Sequence, residues 1–355
     1  MAKIKFGVVG AGMISQLSCR DIAAHAQAEI VAAADPNRER LAELAGRYGI
    51  ARTYAEAGAV FDDAEVDAVY IAVPNAYHAE LARQSLEASK HTILDKPFAM
   101  NLEQALSVAD AACATDRVFM VGMNQRFART TQKMKRLVQA GALGDVYHAK
   151  AYWRRRSGIP RLGSWFTNRE ASGGGALLDI GVHMLDAALY MMGNFEPVAV
   201  AGATYTCFGN RGLGEGGWGA SEREFEVFDV DDFATALIRL EGDVTLALDA
   251  SWALLQEDGN RMDVELYGTE ASGAAYGDKL VKAGEGPGEY IVVQSPAMPE
   301  LIYSHTSRFH NFINSILGTE EPGVTLDEAL AVQRILDGIY ESQRTGREVS
   351  LEDRG

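Results

Sequence analysis

Short apolar runs alternate with amphipathic stretches along the first third of the chain. Lys3 to Val9 (KIKFGVV), Glu29 to Ala34, Asp67 to Val73 (DAVYIAV), His91 to Leu94 and Arg117 to Met123 read as strands buried on both faces. Helical stretches separate them, to about Gln27 after the first strand, from Pro36 to Tyr48, to near Ser89 and from Leu102 to Thr115. This alternation predicts a parallel, doubly wound sheet with its ligand at the carboxyl ends of the strands. After Met123 the texture changes. A helix from Thr131 to Ala140 stops at Gly141, and Val146 to Arg155 is extended. Then Gly173-Gly174-Gly175 opens a helix that aligns Asp179, His183, Asp186 and Tyr190, beside an apolar stripe of Leu178, Val182, Leu185 and Leu189. From Val198 the pattern is mainly strands: Val198 to Thr206, Phe233 to Leu240, Val244 to Trp252, Met262 to Tyr267, Ala271 to Tyr276, Lys279 to Lys282 and Tyr290 to Gln294. Short turns such as Glu241-Gly242-Asp243 predict that these pair antiparallel. Helices over Ser304 to Leu317 and Leu326 to Thr345 follow, and the Gly-rich stretch Gly209 to Gly219 reads as a mobile loop.

The first strand runs into Gly10-Ala11-Gly12-Met13-Ile14-Ser15, a Gly-x-Gly-x-x-Ser form of the dinucleotide fingerprint. Gly10 permits the tight turn, Gly12 lets the backbone close on a pyrophosphate, and Ser15 is small enough for close helix packing. The following helix offers free N–H groups to the phosphates. Asp35 ends the second strand, where a carboxylate accepts the ribose hydroxyls and repels a 2′-phosphate, so NAD is expected over NADP. Arg38 is the residue that argues the other way, and Asp35 also suits the N-cap of the next helix. The expected fold is therefore an α/β Rossmann domain over residues 1–123, the dinucleotide-binding unit. An α+β domain over 124–355, with a large, mostly antiparallel sheet, is expected to bind substrate and to oligomerise.

The 355 residues carry a formal net charge of −16, which disfavours nucleic acid or an anionic membrane as partner. Cys19, Cys113 and Cys207 are scattered, so neither a disulfide framework nor a zinc knuckle is expected, and a cytoplasmic setting fits. The first residues lack a signal-peptide pattern, and no apolar run of about eighteen residues suggests a membrane span.

Pro74, Lys96 and Asn124 all sit at carboxyl ends of predicted strands and so point to one crevice. Asp179 and His183 are four positions apart, one helical turn. They can form an acid/base device in which the carboxylate orients the ring, a plain ion pair, or part of a metal site. The metal reading ranks last, since only two ligands are offered.

Together these features resemble the Gfo/Idh/MocA oxidoreductase family. The matches are the Gly10-to-Ser15 fingerprint, Ala34-Asp35-Pro36, Val73-Pro74-Asn75 with His78, Asp95-Lys96-Pro97, Gly122 to Phe127, and Gly174 to Asp186 with its Asp-x-Gly-x-His core. Asp95 departs from the family, which more often has Glu before the Lys-Pro. The resemblance implies a catalytic set of Lys96, Asp179 and His183. It also implies a cofactor side of Gly10, Gly12, Met13, Ile14, Asp35, Val73, Pro74, Asn75, His78, Asp95, Lys96, Asn124 and Arg126. The chemistry agrees: His183 is the expected base near neutral pH, Lys96 a positive charge where an alkoxide develops, and Asp179 the group that orients the ring.

On the substrate side, Arg126, Trp153, Arg154, Arg156, Trp165 and Asn168 are expected beside Lys96, Asp179 and His183. Rings stack on sugar faces, and Arg and Asn bind hydroxyls. Alternate residues of one strand point away from any cleft, so at most about half of Tyr152 to Arg156 can contribute. The run from Arg154 to Asn168 is similar to that of members acting on pyranosides, of the levoglucosan and glucoside 3-dehydrogenase type. Three arginines equally suit an acidic sugar or a phosphate. The expected activity is NAD-dependent oxidation of a secondary alcohol of a sugar, glycoside or inositol by a cytoplasmic homodimer or homotetramer, without a metal. Two other readings stay open: an NADPH-dependent reductase of a non-sugar carbonyl, and a non-catalytic NAD-sensing regulator, which has no need of Lys96 and His183.

Overall fold

The apolar runs of the first unit pair into a sheet in which every neighbour is parallel. In the computed structural model, which describes residues 3–217, 219, 223–297 and 300–352, β1 (Ile4–Val9), α1 (Met13–Ala24), β2 (Ala28–Ala34), α2 (Arg38–Tyr48), β3 (Arg52–Tyr54), α3 (Ala57–Phe61), β4 (Ala68–Ile71), α4 (His78–Glu87), β5 (His91–Leu94), α5 (Leu102–Cys113) and β6 (Phe119–Val121) follow one another. The strand order is β3-β2-β1-β4-β5-β6. It reverses between β1 and β4, and the crevice beyond their carboxyl ends is where such sheets bind ligands. Gly10 sits at its mouth with φ +93°, and a Cβ there would lie 2.2 Å from the Ala72 carbonyl oxygen. Glycine is what lets these two loops meet. β3 and α3 were not foreseen; both are too short to show periodicity. Asn37, not Asp35, caps α2, accepting from the amides of Glu39 and Arg40.

The second unit contains α6 (Arg129–Gln139), β7 (Val146–Arg155), α7 (Arg169–Ser172), α8 (Val182–Met192), β8 (Pro197–Tyr205), β9 (Phe233–Leu240), β10 (Val244–Ser251), β11 (Asn260–Gly268), β12 (Ala271–Ala274), β13 (Lys279–Ala283), β14 (Tyr290–Gln294), α9 (Arg308–Ile316), α10 (Leu326–Thr345) and β15 (Val349–Ser350). Its sheet has nine strands in the order β14-β13-β12-β11-β7-β10-β9-β8-β15. All neighbours are antiparallel except β7 and β10, which are parallel. The turn at Glu241 to Asp243 does make a hairpin of β9 and β10. Between β7 and β10, however, the chain crosses over through α8, and parallel neighbours need such a crossover. The Gly-rich stretch is pinned rather than loose where it passes the Gly158 turn: the amides of Gly158 and Ile159 both donate to the Gly214 carbonyl. Residue 218 of that stretch lies outside the described residues.

The helix expected over Gly173 to Asp186 is not uniform. Leu177–Gly181 is a π-turn, and α8 begins only at Val182. The segment Arg169–Met192 is long and apolar enough to cross a membrane by length and composition alone, although it holds no unbroken run of eighteen apolar residues. Its apolar window is 94% buried inside the protein, as a core element is.

Two buried arginines anchor the second unit, and one of them ties it to the first. Arg126, expected at the cofactor and substrate, is fully buried and turned elsewhere. Its guanidinium forks onto Asp186 at 2.6 Å and donates to the Gly323 carbonyl and to Glu328. Arg308, at the start of α9, reaches back to the first sheet and donates to Asp95 at 2.9 Å and to the Gly122 carbonyl.

Candidate active site

The crevice of the first sheet meets the start of α8 in a cleft of about 220 Å³. Lys96 follows β5, and its loop is braced from below. The Asp95 carboxylate accepts from the Lys96 amide, Tyr70 and Arg308. Burial raises the Asp95 pKa, but Arg308 and Tyr70 outweigh it and hold the group at about 2. His78 links the neighbouring loops through the carbonyls of Pro97 and Val73, 2.8 and 3.0 Å away.

Lys96 Nζ crosses the cleft to Asp179, donating to its Oδ1 and its carbonyl oxygen, both at 2.8 Å. The other carboxylate oxygen of Asp179 accepts from Trp252 Nε1 at 2.9 Å. Burial pushes the Asp179 pKa up, but Lys96, Arg155 and Trp252 hold it below the usual carboxylate range. Asp179 therefore carries a negative charge that is already engaged, and it makes no hydrogen bond to His183. The π-turn between them breaks the one-turn spacing, so neither the orienting role nor the ion pair expected from sequence is present. His183 Nδ1 is buried with no hydrogen-bond partner. Burial first, and Lys96 second, push the His183 pKa down to about 3. Burial and Lys96 thus favour the neutral ring over the near-neutral titration expected from sequence, and Nδ1 is open to a hydrogen bond.

The three glycines seat this machinery. A Cβ on Gly174 would lie 2.0 Å from the Tyr340 hydroxyl, and one on Gly175 would lie 1.9 Å from the Asp231 carbonyl oxygen. Asp231 caps the π-turn by accepting from the amides of Gly175 and Leu177, and from Tyr340.

Ile14, Val73, Asn75, His78, Asp95, Lys96, Asn124, Trp153, Trp165, Asp179 and His183 all line the cleft, as expected. Gly10, Gly12, Met13, Asp35 and Pro74 lie outside its lining, on the loops around the start of α1 and the ends of β2 and β4. Four expected residues are not brought in. Arg126 is committed to Asp186. Arg154 faces away, over the Tyr152 ring and near Asp249. Arg156 is exposed and donates to the Glu257 carbonyl. Asn168 caps α7 through the Ala171 amide. Strand alternation explains the first correction on β7: Trp153 faces the cleft, so its partner there is Arg155 and not Arg154. Sequence parity was a sufficient signal for Arg155. Trp252, Asp231 and Arg308 left no local signal.

The residues present fit a dinucleotide. Gly12 begins α1 with no side-chain cap, and nothing lies within 4 Å of where its Cβ would be. The helix amides there are open to a pyrophosphate. Asp35 Oδ2 accepts from the Ala11 amide at 2.6 Å and Oδ1 from the Asn37 amide, which fixes the carboxylate at the end of β2.

Comparison with known proteins agrees with this geometry. Residues 4–123 match the profile described as "Oxidoreductase family, NAD-binding Rossmann fold", and residues 131–273 match the "GFO/IDH/MocA C-terminal domain". The chain is 28% identical over 350 residues to D-glucoside 3-dehydrogenase of Escherichia coli, covering 98% of this chain and 97% of that protein. It is 32% identical over 247 residues to levoglucosan dehydrogenase of Pseudarthrobacter phenanthrenivorans, covering 67% of this chain and 63% of that one. The solved structure of levoglucosan dehydrogenase in complex with NADH and levoglucosan superimposes with a TM-score of 0.81 at 25% identity, covering 98% of this chain and 99% of that chain.

Proposed function

The chain belongs to the GFO/IDH/MocA oxidoreductase family, NAD-binding enzymes acting on CH–OH groups, and we propose that it oxidises one secondary hydroxyl of a sugar, glycoside or inositol with NAD+ as hydride acceptor. The observation that carries this reading is the Lys96–Asp179 bridge across the cleft, with neutral His183 beside it. When bound, the dinucleotide supplies the hydride acceptor. The protein's own part is to hold the alcohol and move its proton. Lys96 places a positive charge where negative charge develops on the substrate oxygen. The hydroxyl proton passes to His183 as the carbon loses its hydride, leaving a ketone, and Lys96 makes so weakly basic a ring a sufficient acceptor by stabilising the negative charge on the oxygen. Asp179 keeps Lys96 aimed and is itself held by Trp252. Trp153 and the stacked pair Trp165 and Phe166, whose ring centres are 3.8 Å apart, offer flat apolar surface to a sugar ring. The likeness to the glucoside and levoglucosan dehydrogenases supports a pyranoside in particular.

Asp35 supports NAD over NADP, since a fixed carboxylate at the end of β2 repels a 2′-phosphate. NADH formation should be measured over a panel of pyranosides, free sugars and inositols with each cofactor. Turnover of at least one such compound with NAD+, several-fold faster than with NADP+, is expected. Faster turnover with NADP+ would overturn the cofactor reading, and activity confined to non-sugar carbonyls would overturn the substrate reading.

A further inference from the structure

Arg155 ends β7 on the cleft wall and is pinned there by two contacts. Its guanidinium lies 4.6 Å from the centre of the Trp153 ring. Its stem lies along Gly158, where a Cβ would come within 2.5 Å of Arg155 Cδ. The N–H groups are nearly idle. Among the described residues their one hydrogen bond is a 3.5 Å contact from Nη1 to the Gly158 carbonyl, at the outer limit for such a bond. A rigid fork of donors, held in place and unused, is built to receive acceptor oxygens.

The charge balance of the wall gives the sign of the ligand. Lys96, Arg155 and Arg308 face Asp95 and Asp179 there. Arg308 is matched by Asp95 at 2.9 Å and Lys96 by Asp179 at 2.8 Å. The field of Asp179 reaches Arg155, but no ion pair forms between them. His183 is neutral and adds nothing. Among the described residues Arg155 is thus the one cation of the cleft wall without an ion pair, in a chain whose formal net charge is −16. A partly desolvated cation without a counterion is unfavourable, and an oxyanion on the ligand removes that cost. The guanidinium fork takes a carboxylate or phosphate through two parallel hydrogen bonds.

We propose that the sugar bound in this cleft carries a carboxylate or phosphate, and that Arg155 is the residue that selects it. This rests on the reading that the cleft takes a sugar. Lys96 attends the reacting oxygen, so Arg155 holds a group away from the oxidised carbon.

The test uses the full chain saturated with NADH, titrated calorimetrically with methyl β-glucuronide, glucose 6-phosphate and methyl β-glucoside. NAD+ reduction by the same compounds is followed in parallel. One of the two anions should bind at least about tenfold more tightly than the neutral glucoside, the low end for a charged hydrogen bond. Arg155→Met should erase that preference, Arg155→Lys should keep part of it, and Arg154→Met, on the opposite face of the strand, should leave the ratio as it is. Preference for the glucuronide assigns a carboxylate, and preference for the phosphorylated sugar a phosphate. Neutral glucoside binding as tightly as both anions, no binding of either anion, or an unchanged order in Arg155→Met would overturn the subsite. Oxidation of the neutral glucoside without binding of the anions leaves the dehydrogenase reading standing and removes this one. Binding of an anion through Arg155 with no oxidation of any sugar does the reverse.

Discussion

His183 differs most from its expectation, and the difference is measurable. Its spacing from Asp179 pointed to a carboxylate-supported base, yet the carboxylate is occupied by Lys96 and Trp252. Burial and the Lys96 charge bring its pKa from an ordinary 6.5 to about 3. Below pH 6.5 the unfolded chain therefore binds a proton that the folded chain does not. Stability falls as pH drops from about 6.5 to 3, by at most about 1.4 kcal/mol per pH unit from this group, and is unaffected by it above that window. His183→Gln should flatten the acid side of the stability curve over that range, read by denaturant melts at successive pH values. A ring resonance of His183 titrating near 6.5 by NMR would contradict this account. Lys96, Asp179 and His183 were legible because each lies in a compact local motif. Trp252 was not, because it lies 73 positions from the aspartate it holds, and nothing in its neighbourhood names the partner.

The π-turn Leu177–Gly181 and its cap set the position of Asp179. Periodicity sees an apolar stripe there and reports a plain helix, since one wide turn barely disturbs the pattern. The glycine run was legible as a close approach, but not what approaches it: the Asp231 backbone and Tyr340. Asp231→Ala strips the cap from two buried amides and should cost on the order of 2–4 kcal/mol of stability. It should lower turnover in the protein that remains folded, because Asp179 loses its seat; thermal melts beside rate measurements check both. Strand β7 makes the complementary point. Alternation alone separates Trp153 and Arg155 from Tyr152 and Arg154, so parity along the strand is enough to pair Arg155 with Trp153.

Across the whole molecule, the alternation of strands and helices made the first sheet legible as parallel and doubly wound, though neither β3 nor the strand order was. The second sheet was legible strand by strand but not in its pairing, since the parallel β7–β10 contact depends on where the crossover through α8 lands. Long-range ties such as Arg308 to Asp95, separated by 213 positions, lie beyond any local pattern. The outer face of the second sheet, away from α8 and α10, carries exposed Leu237 and Tyr205 among small and polar neighbours. We propose that a second copy covers it, giving a homodimer or homotetramer. Light scattering at micromolar concentration should show an oligomer that Leu237→Glu weakens, and a monomeric wild-type protein would refute the arrangement.

Both halves assemble the cleft, with Lys96 brought from the first to Asp179 and His183 of the second. The most direct test takes the sugar that is oxidised fastest and compares wild type with Lys96→Ala for turnover, NADH affinity and thermal melting in parallel. Loss of the charge at the developing alkoxide should lower turnover by roughly a hundredfold or more, with the fold retained and NADH affinity changed far less. Wild-type turnover in well-folded Lys96→Ala protein would contradict it.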